Sequence, residues 1–252
     1  MITLAGVYAG YGGGDVLQGV DHEVGEGSVT CIVGPNGAGK STVLRAISGL
    51  LKPREGQIRL ADKVISGLHP SDILTEGVVQ VPQQDGLFPA MTVRENVLLG
   101  GFVRRRDKAL LRRRYDELTE SFPIIAERST QLAGNLSGGQ RRMVEFARAL
   151  MIEPRVVLLD EPSLGLDVRS LGQVSESIAA MRAAGITILL VEQNVRFGLG
   201  VATHGVVMES GRVLLTDTAA GLLANEEIAE LFLGGSTESS SARSVAGDAR
   251  RP

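Results

Sequence analysis

Eight consecutive residues, Gly34-Pro-Asn-Gly-Ala-Gly-Lys-Ser41, combine spaced glycines, a lysine and a hydroxyl. Glycines at this spacing let backbone N–H groups curl around phosphate oxygens, and a helix starting at the end of the loop adds positive potential. Lys40 has the reach for β/γ-phosphates, and the Ser41 hydroxyl is suited to ligate Mg²⁺. Gly34, Pro35, Asn36, Gly37, Ala38, Gly39, Lys40, Ser41 and Thr42 therefore form a candidate site for a nucleoside triphosphate. A second chemistry stands at Asp160-Glu161, two carboxylates at the end of the apolar run Val156-Val-Leu-Leu. Adjacent acids there can divide the work. Asp160 can complete a Mg²⁺ shell, and Glu161 can orient and polarise a water for attack on the terminal phosphate. A third element is Leu136-Ser-Gly-Gly-Gln140. The Ser137 hydroxyl and the amides of Gly138 and Gly139 at a helix start make another anion site. One triphosphate rarely needs two such sites in one chain, so the second is expected to serve another subunit's nucleotide.

These groups need elements to hold them. Val29-Thr-Cys-Ile-Val33 before the glycine loop is β-branched and apolar, the pattern of a buried strand, and Thr42–Ser48 after it reads as a helix. Gly77–Val81, Val156–Asp160 and Ile186–Val191 read as further strands, with helices over Gly139–Met151 and Val168–Ala184. Strands alternating with helices predict an α/β fold with a mostly parallel sheet and helices on its faces. Short strands open the chain at Ile2–Tyr8 and Val16–Val24, and a hairpin is expected from Gly205 onward. Thr92 to about Ala133 reads as helical, part of a lobe inserted over about 84–150. One domain is expected over 1–235. The stretch 236–252, rich in Ser, Ala and Arg, is expected to be a disordered tail.

Composition removes several classes. A chain of 252 residues with net charge −3 has no global basic signature, and aromatic residues are 4% with no Trp. Neither favours nucleic acid. The single cysteine, Cys31, lies in the strand before the glycine loop and reads as a small buried hydrophobe in a reducing compartment. There is no signal-peptide pattern and no long apolar run, so any membrane link is expected to come through a partner.

The three motifs, in this order, resemble the ATP-binding subunits of ABC transporters over about residues 1–234. The resemblance implies a P-loop core, an antiparallel β subdomain and the helical lobe. It implies two chains sandwiching two ATP molecules with Mg²⁺, the 34–41 loop of one facing the 137–140 motif of the other. Leu136, Ser137, Gly138, Gly139 and Gln140 then act on the partner's ATP. By the same resemblance Tyr11 stacks on adenine, Gln83 contacts Mg²⁺ and the attacking water, and Asp167 sits in the loop Ser163-Leu-Gly-Leu-Asp167 that crosses between subunits. The superfamily usually has a histidine where this chain has Gln193, in Val191-Glu-Gln-Asn194. None of His22, His69 and His204 can replace it by spacing. Glutamine can donate a hydrogen bond there but carries no charge. Damage to the ATPase is the competing reading of that exchange.

Val191-Glu-Gln-Asn194, Asp160-Glu-Pro-Ser-Leu-Gly-Leu166 and the ending Leu222 to Gly234 narrow the resemblance to the shorter ATPase subunit of branched-chain amino-acid importers. That family also takes other amino acids, amides and urea. It implies a different partner ATPase, two membrane permeases, an external binding protein and a place on the cytoplasmic face of the membrane. Val81-Pro-Gln-Gln-Asp-Gly86 and Asp167 depart from that subfamily's pattern and leave the substrate open. A non-transport or regulatory ABC ATPase is the alternative. The basic stripe Arg104–Arg106 with Arg112–Arg114 reads as a solvated helix face. Arg141 and Arg142 are expected to meet local acids or solvent, and Phe88 and Met91 to pack in the core, with a permease-facing groove as the alternative.

Overall fold

The computed structural model describes residues 1–84 and 86–225. The expected tail 236–252, the ending beyond Asn225, and Asp85 of the Gln84–Gly86 turn lie outside them. The chain opens with β1 (Ile2–Tyr11), β2 (Gly14–Val24) and β3 (Val29–Val33), followed by α1 (Lys40–Ile47), β4 (Glu55–Leu60) and β5 (Lys63–Val64). Then come α2 (Pro70–Thr75), β6 (Val78–Val81), α3 (Val93–Gly100), α4 (Lys108–Ser121), α5 (Pro123–Glu127) and α6 (Gly138–Leu150). The remainder is β7 (Val156–Asp160), α7 (Val168–Ala183), β8 (Thr187–Glu192), α8 (Val195–Val201), β9 (His204–Glu209), β10 (Arg212–Thr218) and α9 (Ala219–Ala224).

Two sheets carry the fold. An antiparallel sheet runs in the order β2-β1-β4-β5, and a six-stranded sheet in the order β10-β9-β3-β8-β7-β6. In the larger sheet β9, β3, β8, β7 and β6 are all parallel, and β10 closes one edge antiparallel to β9. The parallel strands are mostly apolar because both faces are covered. Val29, Cys31, Val33, Val157, Leu159, Ile188 and Leu190 face the core shared with the helical lobe, α7 and α8. Ile32, Val156, Leu158, Leu189, Val191 and Val206 face the other core, shared with α1 and the antiparallel sheet. This is the period-2 alternation of a strand, applied to two hydrophobic layers.

The expected helical stretch after Thr92 is three helices, with a 3-10 turn between α3 and α4 and another after α5. It breaks at Gly100-Gly101, where a Cβ on Gly100 would lie 2.0 Å from the Arg148 carbonyl oxygen. The close approach of α3 to α6 requires that glycine. The sequence reading passed over β4, α2, α8 and α9. Each is short, and β4 buries only Ile58 and Leu60, so its apolar signal is weak. The parallel order matters most for the site. The 34–41 loop leaves β3, Gln193 leaves β8, Asp160-Glu161 ends β7 and Gln83 follows β6. Four neighbouring strands thus deliver these residues to one carboxyl-end edge, where ligands bind in such sheets.

Candidate nucleotide site

The glycine loop is held from both sides before any ligand is considered. Gly34 has φ +156°, and a Cβ there would lie 2.1 Å from the Met208 carbonyl oxygen of β9. The amide of Gly211, in the β9–β10 turn, donates to Ala38 at 3.0 Å. Gly39 caps α1 with φ +98°, leaving the helix N-terminus without a side-chain cap and open to an anion. Pro35, Asn36 and Gly37 are exposed, while Ala38, Gly39, Lys40 and Thr42 are buried. The Lys40 ammonium donates to the carbonyls of Gly34 (2.8 Å) and Pro35 (3.0 Å). Burial pulls its pKa down, against the pull of Glu161 and Asp160.

The Ser41 hydroxyl donates to Asp160 Oδ1 at 2.8 Å. Burial raises the Asp160 pKa, and the Ser41 hydrogen bond and nearby Arg45 and Lys40 act against it. Glu161 is buried, and its Oε2 accepts from Gln83 Nε2 at 2.6 Å. Of the neighbouring glutamines, Gln83 is the one turned inward; Gln84 is exposed. The Glu161 backbone sits at φ +45°, outside the range ordinary residues prefer. Such a conformation costs on the order of 1–3 kcal/mol and persists only where neighbours fix it. The Glu161 amide donates to the Val191 carbonyl at 3.0 Å, tying the turn to β8. Gln193 is exposed at the end of that strand. Tyr11 is half exposed, and its hydroxyl accepts from Arg45 at 2.9 Å.

The Leu136–Gln140 motif lies elsewhere. Ser137 caps α6 in a capping box: its hydroxyl accepts from the Gln140 amide, and the Gln140 side chain accepts from the Ser137 amide. A Cβ on Gly139 would lie 2.1 Å from Ser170 Oγ, so α6 and α7 meet there at glycine distance. Asp167 caps α7, accepting from the Ser170 amide (3.0 Å) and hydroxyl (2.9 Å). The amide hydrogen bond holds its carboxyl below the usual range. Among the described residues no hydrogen bond joins this cluster to the 34–42 loop, so within one chain the two candidate anion sites share none.

Two residues beyond the sequence reading matter. Arg142 is buried, donates to the carbonyls of Pro82 and Gln83 (both 3.1 Å) and pairs with Glu145 at 2.8 Å. It links the capped helix to the segment bearing Gln83, which goes beyond the expected contact with a local acid. Glu192 is the second and is taken up below. Their distant contacts, Arg142 with Pro82 and Gln83 and Glu192 with Ser163, carry no signal in the local sequence. Two other expectations change. Phe88 is half exposed beneath the Arg148 guanidinium and does not pack inward; Asn96 holds its backbone instead. The basic stripe is only partly solvated, since Arg114 donates to Leu150 O at 3.0 Å and, with Arg113, meets Glu117 and Glu153.

A glycine loop, paired carboxylates and an inward glutamine at the edge of a parallel sheet define a P-loop ATPase with a helical insertion. The profile of the ABC transporter family matches residues 17–164, and the chain belongs to that family. It is 38% identical over 235 residues to the high-affinity branched-chain amino acid transport ATP-binding protein BraG of Pseudomonas aeruginosa, covering 93% of this chain and 100% of the relative. It is 35% identical to the probable branched-chain amino acid transport ATP-binding protein LivF of Archaeoglobus fulgidus, covering 93% and 99%. Among solved structures it is similar to a dimeric ATP-binding cassette in a post-hydrolysis state bound to ADP and Pi, with TM-score 0.76, 26% identity and coverage of 87% and 99%.

Proposed function

We propose that this chain is the ATP-hydrolysing subunit of a membrane importer for branched-chain or related amino acids. It works at the cytoplasmic face with a second ATPase subunit, two permeases and an external binding protein. The observation that carries the chemistry is the buried Glu161 in contact with Gln83, one residue from the Ser41–Asp160 pair. The full-length likeness to BraG carries the transport assignment. Among the described residues no helix is long and apolar enough to cross a membrane, so the link to the bilayer runs through partners.

The donor set fits Mg²⁺: a hydroxyl, a carboxylate and an amide oxygen are hard ligands, and this ion needs few protein groups beside phosphate oxygens. Ser41, Asp160 and Gln83 would hold it, and it would neutralise charge on the β- and γ-phosphates. The loop amides and Lys40 bind the triphosphate, with the Lys40 ammonium leaving the Gly34 and Pro35 carbonyls to do so. Glu161 orients water toward the γ-phosphate and takes up its proton demand, and Gln83 fixes which way that carboxylate points. Gln193 donates to the γ-phosphate. The lack of a hydrogen bond between the Ser137 cluster and the loop, among the described residues, supports a shared site in which this motif closes on the partner's ATP. Leu164 and Val168, 42% and 87% exposed beside Asp167, give that contact apolar surface. Hydrolysis removes the shared γ-phosphate and lets the pair open.

The test is Glu161→Gln in the complex reassembled with its permeases in vesicles. ATP should bind as before, while phosphate release and uptake of labelled leucine both fall about a hundredfold or more. Near-normal turnover would remove Glu161 from its role. ATP turnover without uptake of any branched-chain amino acid would remove the substrate assignment.

A further inference from the structure

Glu192 ends β8, one residue before Gln193, and is 1% exposed. A carboxylate so deeply buried survives only where its oxygens are satisfied. Ser163 satisfies both: its amide donates to Oε1 at 2.9 Å and its hydroxyl to Oε2 at 2.8 Å. Ser163 stands two residues after Glu161, and Glu192 itself stands one residue before Gln193. A single carboxylate therefore joins the two turns that carry the candidate water-activating acid and the candidate γ-phosphate donor.

The surroundings leave this carboxylate little freedom. A Cβ on Gly198 of α8 would lie 2.9 Å from Glu192 Cβ and 2.6 Å from Cys31 Sγ, so the helix packs directly on its stem. The turn it grips is the one whose first residue, Glu161, is held at φ +45°. The Glu161 amide bond to Val191 fixes the start of that turn, and the Glu192–Ser163 pair fixes the position two residues on. Two anchors on adjacent residues of β8 are what an unfavourable backbone conformation requires.

We infer that Glu192 is a positioning residue for ATP hydrolysis, setting Glu161 and Gln193 at a fixed mutual spacing through its grip on Ser163 and its own place beside Gln193. It makes no contact with the triphosphate itself. The inference rests on the ATPase reading above.

The full-length chain, with its partners, is assayed for phosphate release across ATP concentrations, alongside nucleotide affinity and thermal unfolding. Glu192→Ala removes every acceptor. It should lower kcat roughly tenfold or more while KM for ATP stays within about twofold, because only the geometry of attack is lost. Glu192→Gln keeps an oxygen for the Ser163 amide and offers an N–H to its hydroxyl, and should recover most of the rate. Ser163→Ala, which loses only the hydroxyl, should fall between them. Wild-type kcat in Glu192→Ala would overturn the inference. So would parallel loss of affinity and kcat with Gln no better than Ala, which would mark a merely structural acid. Should Glu192→Ala not fold, an unchanged kcat in Ser163→Ala overturns it. An inactive wild type would remove the ATPase reading, and this inference with it.

Discussion

Gln193 is exposed at the end of β8, where a side chain can reach a bound phosphate without breaking any contact in the free chain. A glutamine can supply a hydrogen bond there but not a positive charge. Gln193→His should therefore keep or raise turnover, and Gln193→Ala should lower it by the worth of one charge-assisted bond, roughly 1–3 kcal/mol. The measurement is steady-state phosphate release with the partner ATPase silenced by its own glutamate mutation. Background activity, unmoved by either change, would make this chain a nucleotide-binding regulator. At this scale legibility followed sequence distance. Lys40 and Ser41 could be read because they lie within one strand-and-loop segment, and Asp160 and Glu161 because they lie within another. The Glu192–Ser163 and Arg142–Gln83 contacts span 29 and 59 residues, and no local pattern encodes them. The positive φ of Glu161 was equally silent, since glutamate is not a residue type that announces it.

At the scale of elements, β3 is fully buried, and Cys31 in it lies in the core as its apolar context implied. Burial pushes the Cys31 thiol well above its ordinary range, with Glu192 adding to the effect. A raised thiol pKa means the unfolded chain loses its proton first as pH climbs. Stability from this group is complete below the ordinary thiol range and is lost as pH rises from there toward the folded-state value. Denaturant unfolding between pH 8 and 10 should show wild type losing up to about 1.4 kcal/mol per pH unit more than Cys31→Ala at the upper end. Parallel curves would mean the thiol ionises equally in both states. The parallel strands were legible because both faces are covered and the runs are mostly apolar. β4 was not, because half its residues face water, and α8 and α9 are too short for a helical period to emerge.

For the whole molecule, the lack of a hydrogen bond between the Ser137 cluster and the phosphate loop, among the described residues, makes binding and assembly separable by mutation. Lys40→Ala should weaken nucleotide affinity in the isolated chain by tenfold or more, on the order of the 1.5–3 kcal/mol of a charged hydrogen bond. Ser137→Arg should leave that affinity within about twofold and abolish ATP-dependent pairing, measured by light scattering with the hydrolysis-deficient Glu161→Gln background. Equal loss of monomer affinity in both would contradict a site shared between chains. The motif order was readable from the sequence, and so was the argument that a second anion site belongs to another nucleotide. The interlocking of the lobe with the sheet through Arg142 needed coordinates.

The strand order also sets a timetable. β3 lies between β8 and β9, so its ladder partners leave the ribosome only after about 150 further residues have been made. At synthesis rates of roughly 5–20 residues per second, that is on the order of ten seconds. Through that interval an apolar strand waits with both edges unpaired. The phosphate loop is braced by Met208 and Gly211, so it cannot take shape until the β9–β10 turn has emerged. A nascent chain stalled before residue 204 would bind no nucleotide and would present β3 to chaperones or to neighbouring chains. ATP can stabilise this protein only once the β9–β10 turn has been made.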